Sequence, residues 1–144
     1  MKIQALKYIT ALVILAGIFQ LSGCKKSDPT PSAQDVVKKN MESATWVVKT
    51  VTVDGVDQTS VYQGLTIKFT DNAYTTTNGK AIWPASGTWT FTSADGTTIK
   101  RDDGLVITVA ATSTSLQLSL TWAETTLGRV SSVAGLHVFT FVKQ

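Results

Sequence analysis

One cysteine, one histidine and ten carboxylates are the groups of this 144-residue chain from which chemistry would have to be built. Cys24 stands in Leu21-Ser22-Gly23-Cys24 and is followed by Lys25-Lys26-Ser27-Asp28. It has no second cysteine to pair with, and its neighbours are no core environment, so neither a disulfide nor a buried thiol suits it. His137 lies in the last apolar run, on the face shared with Phe139 and Phe141. A metal site needs three or four ligands, and a catalytic base needs a nucleophile and an orienting group. The sequence has no His-x-His or His-x-x-x-His spacing, so a structural or surface role is expected for His137. Asp54, Asp71, Asp95, Asp102 and Asp103 cluster beside Gly or Asn, as turns require. Asp102 and Asp103 are adjacent, so their side chains diverge, whereas a glycosidase pair must face one cleft. These residues point to no enzyme, no metal centre and no cofactor.

The setting of Cys24 is a leader. Met1–Tyr8 carries Lys2 and Lys7 and no acid, and Ile9–Leu21 is uncharged. About thirteen apolar positions suit a signal-peptide core, whereas a spanning helix needs roughly twenty. With Leu21 before Ser22-Gly23 and Cys24 after, the tetrapeptide resembles the lipobox of bacterial lipoproteins. The resemblance implies cleavage between Gly23 and Cys24, a diacylglyceryl group on the Cys24 thiol and acylation of its amine. Two or three acyl chains make attachment lasting where one does not. The expected address is the cell envelope, anchored to a membrane without spanning it. The outer membrane is the first choice, on its periplasmic face or at the cell surface.

Loss of residues 1–23 leaves 121 residues and removes two lysines, so a formal net charge of +3 falls to +1. A basic pI that comes partly from a leader is no argument for nucleic acid. Residues 24–31 read as the lipid anchor and a polar tether with two prolines. Lys25 and Lys26 lie where anionic head groups would attract them, or are simply solvated. Asp28 partly resembles the acidic signal of surface-exported lipoproteins.

Residues 32–144 form one domain. A short helix is expected over 32–43, with Ser32 as cap, Asp35 in the capping-box position, Val36, Val37 and Met41 as its apolar stripe, and Lys38 and Lys39 facing water. From Thr45 the period becomes two. Strands are expected at Thr45–Val53, Val61–Thr70, Ala73–Thr77, Gly87–Thr92, Thr97–Arg101, Leu105–Ala110, Leu116–Trp122 and Gly135–Lys143. Asp-Gly, Asp-Asn and Asn-Gly pairs punctuate them. Eight antiparallel strands with one apolar face predict an up-and-down barrel, since closure removes exposed edges. A β-sandwich is the alternative.

A helix, then Ala44-Thr45-Trp46 at the start of the first strand, then an even run of hairpins resembles the calycin superfamily. It is closest to the lipocalin-like domains of bacterial lipoproteins. Lipocalins proper have Gly-x-Trp here, and this chain has Ala44 where the glycine would be. In that family a late basic residue packs across the tryptophan, a part open to Lys143 or Arg129. Trp46, Trp89 and Trp122 are expected in the core that closes the barrel. Trp83, before Pro84 in a loop, either contacts a ligand or partner or folds inward and plugs the barrel mouth. The long connection 123–134 carries Glu124 and Arg129, which with Trp83 could rim one open end. Two functions remain: a binding module for a small apolar or amphipathic ligand, or a structural or interaction protein of the cell envelope, with a filled barrel, that binds a protein or glycan on its outer surface. In both the chain is expected to be monomeric.

Overall fold

A computed structural model describes residues 29–123 and 134–144. Pro31–Gln144 clusters as one compact unit. The leader, Gly23, Cys24, the two tether lysines and the residues 124–133, with Glu124 and Arg129, lie outside the described residues.

Among the described residues this unit has nine strands and one α-helix. They are α1 (Ala33–Glu42), β1 (Thr45–Val53), β2 (Val56–Asp57), β3 (Thr66–Thr70), β4 (Ala73–Thr77), β5 (Ser86–Phe91), β6 (Thr98–Arg101), β7 (Val106–Ala111), β8 (Ser115–Trp122) and β9 (Gly135–Lys143). The sheet runs β2-β1-β3-β4-β5-β6-β7-β8-β9, every pairing is antiparallel, and β1 also pairs with β9. That last pairing closes eight strands into a barrel and rules out the sandwich. The two-residue β2, which the sequence pattern did not suggest, is a spur folded back on β1 by Asp54-Gly55, whose φ values are +49° and +81°. Positive φ at both central residues is what an Asp-Gly hairpin turn supplies.

The expected strand Val61–Thr70 is corrected. Only Thr66–Thr70 is strand; Thr59–Tyr62 is a short 3₁₀ helix. Gly64 at φ +77° breaks the extended run between them. The consequence is a thin seam, because β1 pairs with β3 only from Thr45 to Val47. Beyond that point Val48 N donates to Leu65 O at 3.0 Å, and Val51 N donates to Thr59 Oγ1, also at 3.0 Å. A side chain thus replaces a rung of the ladder. On the other side of β1 the pairing with β9 is long, from Trp46↔Lys143 to Val53↔His137, interrupted by an extra residue at Lys49. This bulge lets Val48 and Val51 both turn inward.

Helix α1 closes one end. Its Ser32/Asp35 capping box is formed on both sides, with Asp35 N to Ser32 Oγ at 3.1 Å and Ser32 N to Asp35 Oδ2 at 3.0 Å. The Ser32 hydroxyl, which donates to Asp35 Oδ2 at 2.7 Å, and then the Ser32 amide hold the Asp35 carboxyl below its ordinary value. Gln34 Nε2 donates to Ser93 O, Lys38 Nζ to Asn72 Oδ1 and Asn40 Nδ2 to Ala111 O, so the helix spans three hairpin tips. Two expectations change here. Val36 is 49% exposed, leaving Val37 and Met41 as the docking stripe. Lys38 is tied down by Asn72 and by Glu42 at 3.9 Å and so is not simply solvated.

Thr59→Val keeps the side-chain shape and removes the acceptor for Val51 N. Leaving a half-buried amide unmatched at the seam is expected to cost about 1 kcal/mol. Urea unfolding followed by circular dichroism would read it, and an unchanged midpoint would mean the hydroxyl does not stitch the seam.

Candidate functional site

The inward positions of the barrel come from alternate residues of each strand and pack as one cluster. Ile67 and Phe69 (β3), Tyr74 (β4), Trp89 (β5), Ile99 (β6), Ile107 and Val109 (β7), Leu116, Leu118 and Leu120 (β8), and Phe139 and Phe141 (β9) are all buried. Phe139 is the hub. Tyr62, Trp83, His137 and Phe141 place their rings 5.0, 5.7, 5.9 and 6.2 Å from it. Among the described residues the barrel axis is occupied by the protein's own side chains.

The two ends are built differently. At the helix end Trp46 is fully buried, and its Nε1 donates to Met41 O at 2.6 Å, joining β1 to the end of α1. Lys143 Nζ lies 5.8 Å from the Trp46 ring centre, so of the two late basic residues considered for this place Lys143 is the one seen there. A cation over an indole face is attractive.

At the opposite end the residues 78–85 between β4 and β5 turn into the barrel mouth. Ile82 is fully buried and Trp83 is 2% exposed. Of the two expectations for Trp83, the inward one holds, and its ring packs edge-on to Tyr74 (6.1 Å) and to Phe139. Trp83 therefore offers no ring to an outside partner in this state. Trp89 is core as expected, edge-on to Phe69 and Phe91. Trp122 is only half-buried at the end of β8, packed against the core.

What holds the plug is a residue that sequence reasoning left as an ordinary strand end. Arg101 is 3% exposed and points inward from β6. Its Nη1 donates to Ile82 O at 2.6 Å, and its Nε and Nη2 form a fork on Asp103. The guanidinium carbon lies 5.3 Å from the Trp83 ring centre and 5.9 Å from that of Tyr74. Parity held the signal: Ile99 and Arg101 share a face, so if Ile99 faces the core, Arg101 does too. Asp102 turns the other way and accepts from Thr88 N at 3.1 Å, so the two acids diverge as expected. The Arg101 fork lowers the Asp103 carboxyl below its ordinary value. Burial pushes the Tyr62 hydroxyl up to about 12.

Tyr74 owes its place to Gly87, its register partner on β5. A Cβ at Gly87 would lie 2.6–2.7 Å from the phenol, so only glycine lets that ring lie across the strand. His137 is fully buried, with Nδ1 3.1 Å from Gly135 O and its ring stacked on Phe139. Nε2 of His137, Nε1 of Trp83 and Trp122, and Oη of Tyr74 are buried without a hydrogen-bond partner among the described residues. Among those residues no three of His, Cys, Asp and Glu lie together as metal ligands.

Comparison of the chain with protein-family models, curated proteins and solved structures finds no match. Geometry alone carries the reading.

A second feature escaped the sequence analysis. The outward positions of β7 (Val106, Thr108, Ala110), β8 (Gln117, Ser119, Thr121) and β9 (Leu136, Val138, Thr140, Val142) carry no charge. Val106 is 52% exposed and Leu136 47% exposed. Around them Thr108, Ser119 and Thr121 line a shallow cleft of about 340 Å³. The signal was an aliphatic residue at Val106 and Leu136, where outward positions elsewhere are mostly threonine or lysine.

Arg101→Met should destabilise the fold by about 2–3 kcal/mol, the low side of a broken buried pair because Asp103 is partly solvated. The Asp103 pair adds stability only above the ordinary carboxylate value and loses it as pH falls through the lowered one. The stability gap between wild type and Asp103→Asn should therefore be present at pH 6 and close below about pH 4. Thermal unfolding across that range reads it, and a gap independent of pH would remove the ion pair from the account.

Proposed function

We propose that this chain is a lipid-anchored protein of the bacterial cell envelope, held at a membrane through Cys24, that binds an envelope protein or glycan with the outside of its barrel. The observation that supports an outside role is the occupied interior, with Tyr62, Trp83 and Phe139 stacked across the axis. An eight-stranded barrel is either filled by its own side chains or just wide enough for one small ligand, and the aromatic column through Phe139 favours the first. The contact face is the uncharged exterior of β7, β8 and β9 around Val106 and Leu136. Interface centres are depleted in charge and hold aliphatic anchors in an otherwise polar rim.

A second reading, carriage of one small apolar or amphipathic molecule inside the barrel, draws support from the plug. The mouth is closed by a loop, and two of that loop's residues, Asn78 and Lys80, hold positive φ without being glycine. Neither reading involves catalysis, and the lipocalin-like resemblance belongs to both.

Cys24→Ser is expected to move the protein from the membrane pellet to the soluble fraction of lysed cells; a variant that still pellets would sink the anchor. For the contact face, a photo-cross-linking residue at position 138 of the full-length protein should capture a reproducible adduct in intact cells. Val106→Lys with Leu136→Lys should reduce capture about tenfold or more, the effect of losing a buried aliphatic anchor, with no change in melting temperature. Equal capture by the variant would exclude this face, and saturable fatty-acid binding by the wild type would favour the second reading.

A further inference from the structure

Hydrogen-bond bookkeeping around the plug is unbalanced in one direction. A guanidinium has five N–H donors and no acceptor. Three of those on Arg101 are matched, two by Asp103 and one by Ile82 O. The other two belong to a side chain that is 1% exposed. Trp83 and Tyr74, both in contact with the guanidinium, add a buried Nε1–H and a buried hydroxyl without partners. Four donors in one contact cluster thus lack an acceptor among the described residues, whereas native interiors leave few polar groups unmatched. A water molecule accepts two hydrogen bonds but brings two protons of its own, and of these three side chains only the Tyr74 oxygen has a free lone pair to receive one.

We infer that Arg101, Trp83 and Tyr74 form a binding site for a compact monovalent anion, of which formate and chloride are the simplest examples. An occupant that only accepts hydrogen bonds balances the cluster, and the guanidinium supplies the charge. Asp103 neutralises Arg101 from the solvent side, where its side chain is 44% exposed, while the guanidinium itself is dry. Burial raises the Tyr74 hydroxyl and the Arg101 charge works against that rise, which puts the hydroxyl within the field of the guanidinium. Lys80, Ala81 and Pro84, which flank the buried pair Ile82-Trp83 in the same loop, are exposed, so the path to solvent is short. The Lys80 ammonium adds a further positive charge to that loop. This site does not depend on what the outer face binds.

The test titrates the full-length protein, purified in neutral detergent, with sodium formate and separately with sodium chloride. Sodium gluconate, a much bulkier anion, keeps the ionic strength constant. Tryptophan emission and melting temperature should both change saturably, the latter following mass action. Tyr74→Phe keeps the ring and removes one donor, and Trp83→Phe keeps a smaller aromatic plug without its donor, so each should weaken the apparent affinity by about tenfold while circular dichroism stays the same. A response that is linear in formate and chloride, or equal in wild type and both variants, overturns the site. Should the variants not fold, wild-type crystals grown in bromide decide: an anomalous peak within hydrogen-bond distance of Trp83 Nε1 supports it, and an ordered water there with no peak overturns it.

Discussion

Antiparallel pairing between β1 and β9 is the constraint from which the rest of the domain follows. Without it the chain is a meander with two open edges, and its aromatic face would lie open. With it, the inward residues of eight strands are forced into one cylinder whose width is set by strand count. Bulky rings then compete for a fixed space, and the solution is the column through Phe139. The bulge at Lys49 belongs to the same constraint: it bends β1 enough to close on β9 while keeping Val48, Val51 and Val53 on the inside.

Closing a cylinder leaves two open ends, and the protein fills them with unlike devices. Helix α1 spans one end through the carbonyls of Ser93 and Ala111, the Asn72 side chain and a buried tryptophan whose Nε1 is matched by Met41 O. The other end uses a loop pinned by a buried charge. A guanidinium among aromatic rings costs desolvation, which its fork on Asp103, its bond to Ile82 O and its stacking against Trp83 and Tyr74 offset in part. The unmatched donors are concentrated at this same end, so the least settled chemistry of the fold lies where the chain leaves the sheet.

Much of the architecture was legible because turn dipeptides and period-two alternation are local signals. Asp54-Gly55 and Asp71-Asn72 mark where the backbone reverses, and Leu116, Leu118 and Leu120 mark a buried face. What was not legible depended on distant partners. Residues 61–65 are rich enough in strand formers to read as strand, yet Gly64 and the bond from Val51 to Thr59 make the stretch 59–65 a 3₁₀ turn and a seam. Val36 and Val37 are equivalent in the sequence, and only docking on the hairpin tips selects Val37. Trp83 could be placed in a loop but its direction could not, because Arg101, some eighteen residues away, decides it. Arg101 was overlooked because its charge suggested surface, although strand parity already pointed inward. The outer face of β7, β8 and β9 was overlooked for the opposite reason, since attention went to what fills a barrel.

The closing strand is also the last one made. Trp46 and Lys143, partners at one end of the closing ladder, are 97 residues apart in sequence. A chain still held by the ribosome, with β9 inside the exit tunnel, has neither edge of its sheet sealed and no floor for Trp83 to rest on, because Phe139 is not yet available. The barrel therefore cannot form progressively from its amino-terminal end. It must form late and all at once, and contacts of such long separation make for slow folding. During that interval the aromatic face and both strand edges are open to aggregation.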